Sequence, residues 1–408
     1  MEEMCHRGNS FLHATPTNPF MNSPLRILTV ADTPCDPNSG AAGTVYYTNQ
    51  ALREIGHEVD EIWADDLGHR RIAHGNLHSL LEQPRAYRQA VMKATRAKQY
   101  DLIILDQPQA YLACKALKQS NFPGVILNRS HGVELRVNQV LPKWHQKYHI
   151  PESRYPPLIT YTLRSLLDRQ WQEVIKYCDG IIVSSSLDEK FLTDFLKVDQ
   201  GKVCLAPQGL SDELLNQPEL IDTDTSPVKW WNLLYVGQFA FFKGYFVLAE
   251  IINRVLIENP NIRFTWVASA KDHGRIRTLI LPDILERVQL LDWMSQSQLK
   301  ETYSQHGIFI FPSFYEGFGK TPLEAMACGL CVVASDEGAM HDYIDSGNNG
   351  YLCPVGDVDE FVEVINNLIL DLEKTKNIAR AAKRFSTSYT WKSHAFQILE
   401  YLKSFKQK

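Results

Sequence analysis

The stretch "GIFIFPSFYEGFGKTPLEAMACGLCVVAS" (residues 307–335) decides the fold of this chain. "GIFIFPS" (307–313) is an apolar run of strand length, and "LCVVAS" (330–335) is a second one. Between them lie a turn with Gly317 and Gly319 and a helical pattern that opens at about Thr321. Strand, glycine turn, helix and strand at this spacing form a βαβ unit, whose strands run parallel. The turn also raises a chemical question. Glu316 precedes the helix and Glu324 falls in its first turn. A helix start presents free N–H groups and about half a positive charge, which favours an anion, phosphate above all. Gly317 and Gly319 allow close approach of the backbone to a ligand. Two carboxylates flanking such an anion would accept hydrogen bonds from hydroxyls, a pairing that suits a sugar joined to a nucleotide. The spacing alone equally fits a capping acid and a surface glutamate.

The same alternation extends outward in both directions. "RILTVA" (26–31), "HEVDEIWA" (57–64), "DLIILD" (101–106), "GVILNRS" (124–130), "DGIIVSSS" (179–186) and "KVCLAP" (202–207) read as strands separated by helical stretches. After the polar segment 211–227 the pattern restarts with "NLLYVGQ" (232–238), "IRFTWVAS" (262–269) and "RVQLLDW" (287–293), ahead of the two strands already quoted. The expectation is an α/β protein of two doubly wound, Rossmann-like domains facing each other across a cleft. Residues 1–24 form a polar tail, 25–210 the first domain, 211–230 a linker and 231–390 the second domain. The segment 389–405 reads as a final amphipathic helix. Ligands of open parallel sheets bind beyond the carboxyl ends of the strands, so the chemistry belongs on the loops after strands.

Composition narrows the class. The chain has 408 residues, 44% hydrophobic and 22% charged, with a net charge of −5, which fits a globular protein and argues against a nucleic-acid binder. The charge is uneven. Residues 1–210 carry 23 basic and 22 acidic side chains, and the remainder 19 and 25. Arg85, Arg88, Lys93, Arg96 and Lys98 follow one another with no acid between them. This run reads as a solvated helix face, or as a surface for an anionic acceptor or a lipid headgroup. The eight cysteines include a CxxC, Cys328 to Cys331, which reads as a helix end and strand start rather than a metal or redox site. Their pattern fits a reducing cytoplasm. No apolar run reaches the length of a membrane span, and the N-terminal residues lack the apolar core of a secretory signal.

Four loops carry candidate residues besides the helix opening. "VGQFAFFKG" (236–244) sets Lys243 before Gly244, in position to aim an ammonium at a phosphate. "PNSGAAGT" (37–44) relaxes the backbone with Gly40 and Gly43 ahead of a helix beginning at about Thr44, as a cleft lid or acceptor loop would, and lacks the dinucleotide and P-loop signatures. "RSHGVE" (129–134) ends a strand with His131, a hydrogen-bonding group for a phosphate or a sugar hydroxyl, or a satisfied structural histidine. "DTD" (222–224) has metal-ligand spacing but sits in the polar linker, so no metal is expected there.

Taken together, residues 311–357 resemble the signature of family 4 glycosyltransferases, which are retaining, nucleotide-sugar-dependent enzymes of the GT-B fold. Glu316-x7-Glu324 matches the family's E-x7-E, "VGQFAFFKG" its phosphate loop, "PQGL" (207–210) its linker-side turn and "RSHGVE" its first-domain histidine motif. The resemblance implies that Glu316 contacts the donor sugar, Glu324 holds ribose hydroxyls, and the amides of Phe318, Gly319 and Lys320 bind sugar hydroxyls. It further implies that the helix start at Thr321 receives the diphosphate, Lys243 neutralises the leaving nucleotide, and His131 touches the sugar or its phosphate. The loop of Gly40 and Gly43 would close near the donor, and the final helix, 391–408, would cross back to the first domain. The donor is a nucleotide-diphosphate sugar used without metal or other cofactor, and the acceptor a glycan, lipid-linked or protein hydroxyl. A cytoplasmic enzyme, with peripheral contact at the inner face of the membrane, fits this reading. Three positions depart from the family: Gln238 stands where arginine is usual, Gln208 where asparagine is common and Asp342 where glutamate is usual. The first removes a positive charge from the diphosphate site, with Lys320 as the candidate to compensate. Rival readings are a glycoside hydrolase, since paired carboxylates also cleave glycosides, a degenerate sugar-nucleotide-binding domain, and a nucleotide-sugar isomerase.

Overall fold

A computed structural model describes residues 23–153, 155–216 and 227–406. The polar tail to residue 22 and the Asp222–Asp224 stretch lie outside the described residues.

Each half of the chain builds one parallel sheet of six strands. The first contains β1 (Arg26–Val30), β2 (Glu58–Ile62), β3 (Leu102–Asp106), β4 (Val125–Arg129), β5 (Gly180–Val183) and β6 (Val203–Leu205), in spatial order β2-β1-β3-β4-β5-β6. The second contains β7 (Asn232–Val236), β8 (Arg263–Val267), β9 (Val288–Leu291), β10 (Ile308–Phe311), β11 (Cys331–Ser335) and β12 (Tyr351–Cys353), in order β12-β11-β10-β7-β8-β9. Strands such as "LIILD" and "CVVAS" are buried along their whole length because helices cover both faces of the sheets. In the first domain one face packs Tyr87, Val91, Cys114, Leu117, Trp171 and Val174 from the helices Gln83–Ala97, Tyr111–Gln119 and Pro157–Tyr177. The other face packs Leu52 from the helix Gly40–Glu54 against Ile398 and Leu402 from the last helix, Trp391–Lys406.

The last helix therefore lies on the first sheet although it follows the second. The chain crosses between domains twice at one place. Leu210 N donates to the Tyr389 carbonyl at 2.9 Å, and His394 Nδ1 lies 3.0 Å from the Pro207 carbonyl.

Several element boundaries correct the sequence reading. The first helix begins at Gly40, not Thr44, so Gly40 and Gly43 form its first turn and are not a relaxed loop. Gly43 serves packing there, since a Cβ on it would meet the Pro37 carbonyl oxygen at 2.7 Å. The helix after β10 begins at Lys320, not Thr321, which moves Glu324 from the first turn into the second. β12, three residues long, has too short an apolar run to register as a strand in the sequence.

Candidate active site

The spatial order of the strands fixes where the site lies. In the second sheet the chain proceeds outward in one direction through β7, β8 and β9, and in the other through β10, β11 and β12. β7 and β10 are thus adjacent at the switch point, and the loops beyond their carboxyl ends diverge to leave a crevice. Those loops hold Lys243 and Glu316. In the first sheet the switch point falls between β1 and β3, and the first domain presents the start of the helix Gly40–Glu54 and the loop after β4.

The two halves enclose a cleft of about 470 Å³, a size suited to a small organic ligand. Gly40, His131, Gln238, Lys243, Glu316, Phe318, Gly319, Lys320, Thr321 and Glu324 all line it. Of the catalytic and donor-binding residues expected from the sequence, Gly43 is not part of that lining; it packs close to the Lys320 ammonium.

Local backbone geometry places the charged groups. Gly244 closes the short turn Phe241–Lys243 with φ +68°, a left-handed conformation, and starts the helix Tyr245–Glu258. A Cβ on it would fall 1.9 Å from the Pro312 carbonyl oxygen, so only glycine lets the loop after β7 press against the end of β10. That approach puts Lys243 Nζ 2.6 Å from Glu316 Oε1. Gly319, with φ +80°, caps the helix Lys320–Ala327, and the Tyr343 hydroxyl donates to its carbonyl at 2.6 Å. The first amides of this helix have no partner within the helix and open toward the cleft.

Glu324 is buried behind the helix start. The Tyr303 hydroxyl donates to its Oε2 at 3.3 Å. Burial pushes its carboxyl up to about 7, against the opposing pull of Lys320 and of the Tyr303 hydroxyl. Lys320 in turn has its ammonium depressed by burial, with Glu324 acting to raise it. Its Nζ donates across the cleft to the Gly40 carbonyl at 3.3 Å and lies 5.3 Å from the centre of the Trp391 ring. Lys320 thus ties the second domain to the first helix and the last.

His131 sits over a buried charge cluster. Its Nε2 donates to Asp106 Oδ2 at 2.8 Å, while Arg129 Nε donates to Asp106 Oδ1 at 2.9 Å. Burial would raise the Asp106 carboxyl, but Arg129 and His131 hold it below its ordinary value. The other ring nitrogen of His131, Nδ1, is buried with no hydrogen-bond partner among the described residues. Gln238 is exposed in the cleft, and Gln208 is buried, with its Oε1 3.0 Å from Thr44 Oγ1.

The sequence reading missed how the domains are fastened together. Arg136 is buried between them. Its guanidinium donates to Asp188 at 2.8 Å in its own domain, and to the Glu316 carbonyl at 2.8 Å and Glu337 at 2.5 Å in the other. It also lies over the Tyr315 ring, whose hydroxyl donates to the Val133 carbonyl at 3.0 Å. Trp144 stacks on Phe314 with ring centres 4.6 Å apart, and Asp342 accepts from the amide and hydroxyl of Ser186. Nothing in the sequence pairs residues 180 positions apart, so Arg136 carried no signal. Asp106 did carry one, as an acid ending an otherwise apolar strand.

Among the described residues no group of three or more histidines, cysteines, aspartates or glutamates is placed to hold a metal ion, and no helix is long and apolar enough to cross a membrane.

Comparison with known proteins agrees with this geometry. Residues 216–385 match the family model of glycosyl transferases group 1. A D-inositol 3-phosphate glycosyltransferase of Stackebrandtia nassauensis is 24% identical over 241 residues, which cover 56% of this chain and 54% of that protein. The sulfoquinovosyl transferase SQD2 of Arabidopsis thaliana is 34% identical over 171 residues, covering 41% of this chain and 32% of its own. The chain thus spans about half, or less, of the length of these relatives. Among solved structures, sucrose-phosphate synthase of Thermosynechococcus elongatus superposes with a TM-score of 0.73 at 20% identity, over 94% of this chain and all of its own. Anabaena HepE in complex with UDP and glucose gives 0.65 at 18% identity, over 93% of this chain and 100% of that one. The fold is therefore that of GT-B glycosyltransferases, and the second half of the chain is similar to glycosyl transferases group 1.

Proposed function

We propose that this protein is a retaining family 4 glycosyltransferase that moves a hexose from a nucleotide-diphosphate sugar to an acceptor hydroxyl. The observation that carries the reading is the meeting of Lys243 and Glu316 at 2.6 Å beside the start of the helix Lys320–Ala327, on loops that share a switch point. The helix start and Lys243 would take the diphosphate, and Lys320 would add a second cation. They stabilise the charge that develops as the sugar–phosphate bond breaks, so the step proceeds without a metal. Glu316 would contact the sugar and stabilise its oxocarbenium-like carbon. Glu324 would accept the ribose hydroxyls, and His131 would hydrogen-bond the sugar or its phosphate.

Retention requires the acceptor on the face of the leaving group. The acceptor proton passes to the departing phosphate oxygen in a front-side displacement, with no covalent intermediate on the protein. The first-domain wall of the cleft would present the acceptor, be it a glycan, a lipid-linked sugar or a protein. Domain contact through Arg136 and Trp144 would exclude water and favour transfer over hydrolysis. Of the seven cysteines among the described residues six are buried, which supports a reducing compartment, and the reading has the enzyme in the cytoplasm.

The test is a thermal-shift screen with UDP-, GDP- and ADP-sugars, followed by detection of released nucleoside diphosphate and of the product anomer by NMR. One donor should stabilise the protein and yield a product of retained configuration. Sugar release with no nucleoside diphosphate would convert the reading to hydrolysis. Exposed Gln238, in place of a phosphate-binding arginine, favours one alternative, a weakened domain that binds sugar nucleotide without turnover. Stabilisation by a donor with no transfer to any acceptor would establish that alternative.

A further inference from the structure

We propose that one outer face of the first domain docks on an anionic lipid bilayer. Thirteen large apolar side chains are exposed among the described residues, and seven fall in two short segments, 77–81 and 155–166. Scattered exposed apolar groups need no explanation, but a cluster does. Leu158 is 78% exposed and Tyr161 72%. With Ile159 and Leu166 they occupy one half of the circumference of the helix Pro157–Tyr177, at about 3.6 residues per turn. That helix fully buries side chains only from Gln170 onward, so among the described residues the apolar side chains of its first three turns stay largely uncovered. The two segments adjoin. Gln170 Nε2 donates to the Ser79 carbonyl at 2.9 Å, and the His74 and Tyr155 rings lie 5.6 Å apart.

A basic surface borders the apolar one. The helix Gln83–Ala97 carries Arg85, Arg88, Lys93 and Arg96, all exposed, and no acid. None of these four is ion-paired with a carboxylate among the described residues. Arg70, Arg71, Leu81, Arg85 and Lys93 rim one shallow hollow, so positive charge and exposed leucine share a surface. Four acids line the same hollow, Asp32, Asp65, Asp66 and Glu82, the last engaged by His78 and by the amides of Arg71 and Ile72. The excess of positive charge therefore lies on the helix Gln83–Ala97, where Arg85, Arg88, Lys93 and Arg96 share a second hollow whose lining holds no acid. A helix that is apolar on one side and flanked by cations binds a membrane interface through two weak attractions acting together. Tyrosine suits that depth, with its ring among acyl chains and its hydroxyl in water. The unopposed positive charge along the helix Gln83–Ala97, beside exposed apolar side chains, fits anionic headgroups better than a peptide, which would need a walled groove.

Vesicle flotation tests this with the full chain and no sugar nucleotide, so failure leaves the transferase reading untouched. Vesicles of phosphatidylcholine mixed with phosphatidylglycerol should carry the protein upward, and phosphatidylcholine alone should not. Leu158→Glu with Tyr161→Glu should weaken binding by at least about tenfold. Arg88→Glu, Lys93→Glu and Arg96→Glu together should weaken it by about fivefold per charge and abolish its sensitivity to salt. These side chains are exposed, and an unchanged melting temperature verifies folding. The proposal is overturned if mixed vesicles carry no protein, if neutral vesicles carry as much, or if the apolar variant floats like the parent. It is equally overturned if light scattering finds a dimer that Leu158→Glu dissociates while vesicles bind nothing, because the face then serves a second copy of the chain.

Discussion

Glu324 should make nucleotide binding release a proton. With its carboxyl pushed up to about 7, half of the molecules carry a neutral Glu324 near neutral pH. If two ribose hydroxyls donate to it, the ionised form is favoured and its pKa falls back toward the ordinary value of about 4.3. The difference, at about 1.4 kcal/mol per unit, couples roughly 4 kcal/mol of binding free energy to ionisation. Affinity for a nucleoside diphosphate should then weaken about fivefold from pH 7 to pH 6 and about eightfold from pH 6 to pH 5, some 40-fold in all. Isothermal titration calorimetry in two buffers of different ionisation enthalpy counts the protons. Release should be close to one near about pH 6 and about half near pH 7. Glu324→Gln, which keeps the shape, removes this component, while the nucleotide's own phosphate titration is common to both proteins and cancels. The same group governs stability with the opposite tendency. Its raised folded pKa favours the protonated folded protein, so its contribution is greatest below about pH 4.3 and is lost as pH rises to about 7, and the glutamine variant should be more stable at high pH by up to about 4 kcal/mol. Identical pH slopes of binding in parent and variant would refute the reasoning, because Glu324 would then not change ionisation when nucleotide arrives.

Lys243→Ala and Glu316→Ala should each cut sugar transfer by about a hundredfold or more, the scale of losing one preorganised charge, and near-normal turnover in both would reject their roles. Arg136→Ala should lower stability by about 3–5 kcal/mol in urea unfolding, because Asp188 and Glu337 are left buried without their partner; a loss below about 1 kcal/mol would show that the domains do not depend on it. Gln238→Arg should tighten diphosphate binding by about tenfold, the scale of a charge-assisted hydrogen bond, and unchanged affinity would mean that the diphosphate lies elsewhere. His306 and His394 are held neutral, their pKa lowered to about 4 mainly by burial. Their contribution is full above about pH 6.5 and lost as pH falls toward 4, so His306→Gln should flatten the acid side of the melting profile, and an unchanged profile would assign acid unfolding to other groups.

How much of this was legible in the sequence depends on the range of the interaction concerned. The strands and their parallel pairing follow from apolar runs such as "IFIF" and "CVVAS", whose burial on both faces leaves a local signature. The glutamates and glycines around residues 316–324 were equally visible, because a turn that opens a helix is a local object. The start at Gly40 was not, since glycine has low helix propensity and the helix is extended there by packing against Pro37. The pairing of Lys243 with Glu316 needed the strand order, which sequence periodicity does not supply. The fastening through Arg136 was beyond reach for the same reason, as it joins residues that only the docking of two domains brings together.

That docking bears on the chemistry. Glu316 is held at both ends of its own peptide unit by the other domain or by groups bound to it. Arg136 donates to its carbonyl, and Glu337, itself paired with Arg136, lies 3.5 Å from its amide. The carboxylate that meets Lys243 is therefore positioned by the first domain as well as by its own loop. Lys320 repeats the pattern at the far side of the helix start, reaching Gly40 with its ammonium while Glu324 sits one turn behind. Lys243 is balanced by the Glu316 carboxylate, while Glu324, half protonated near neutral pH, balances Lys320 only in part, which leaves positive charge at the helix start uncompensated. A cleft assembled this way is complementary to an anion only when the two domains are together, so the contacts that close the molecule also build the site.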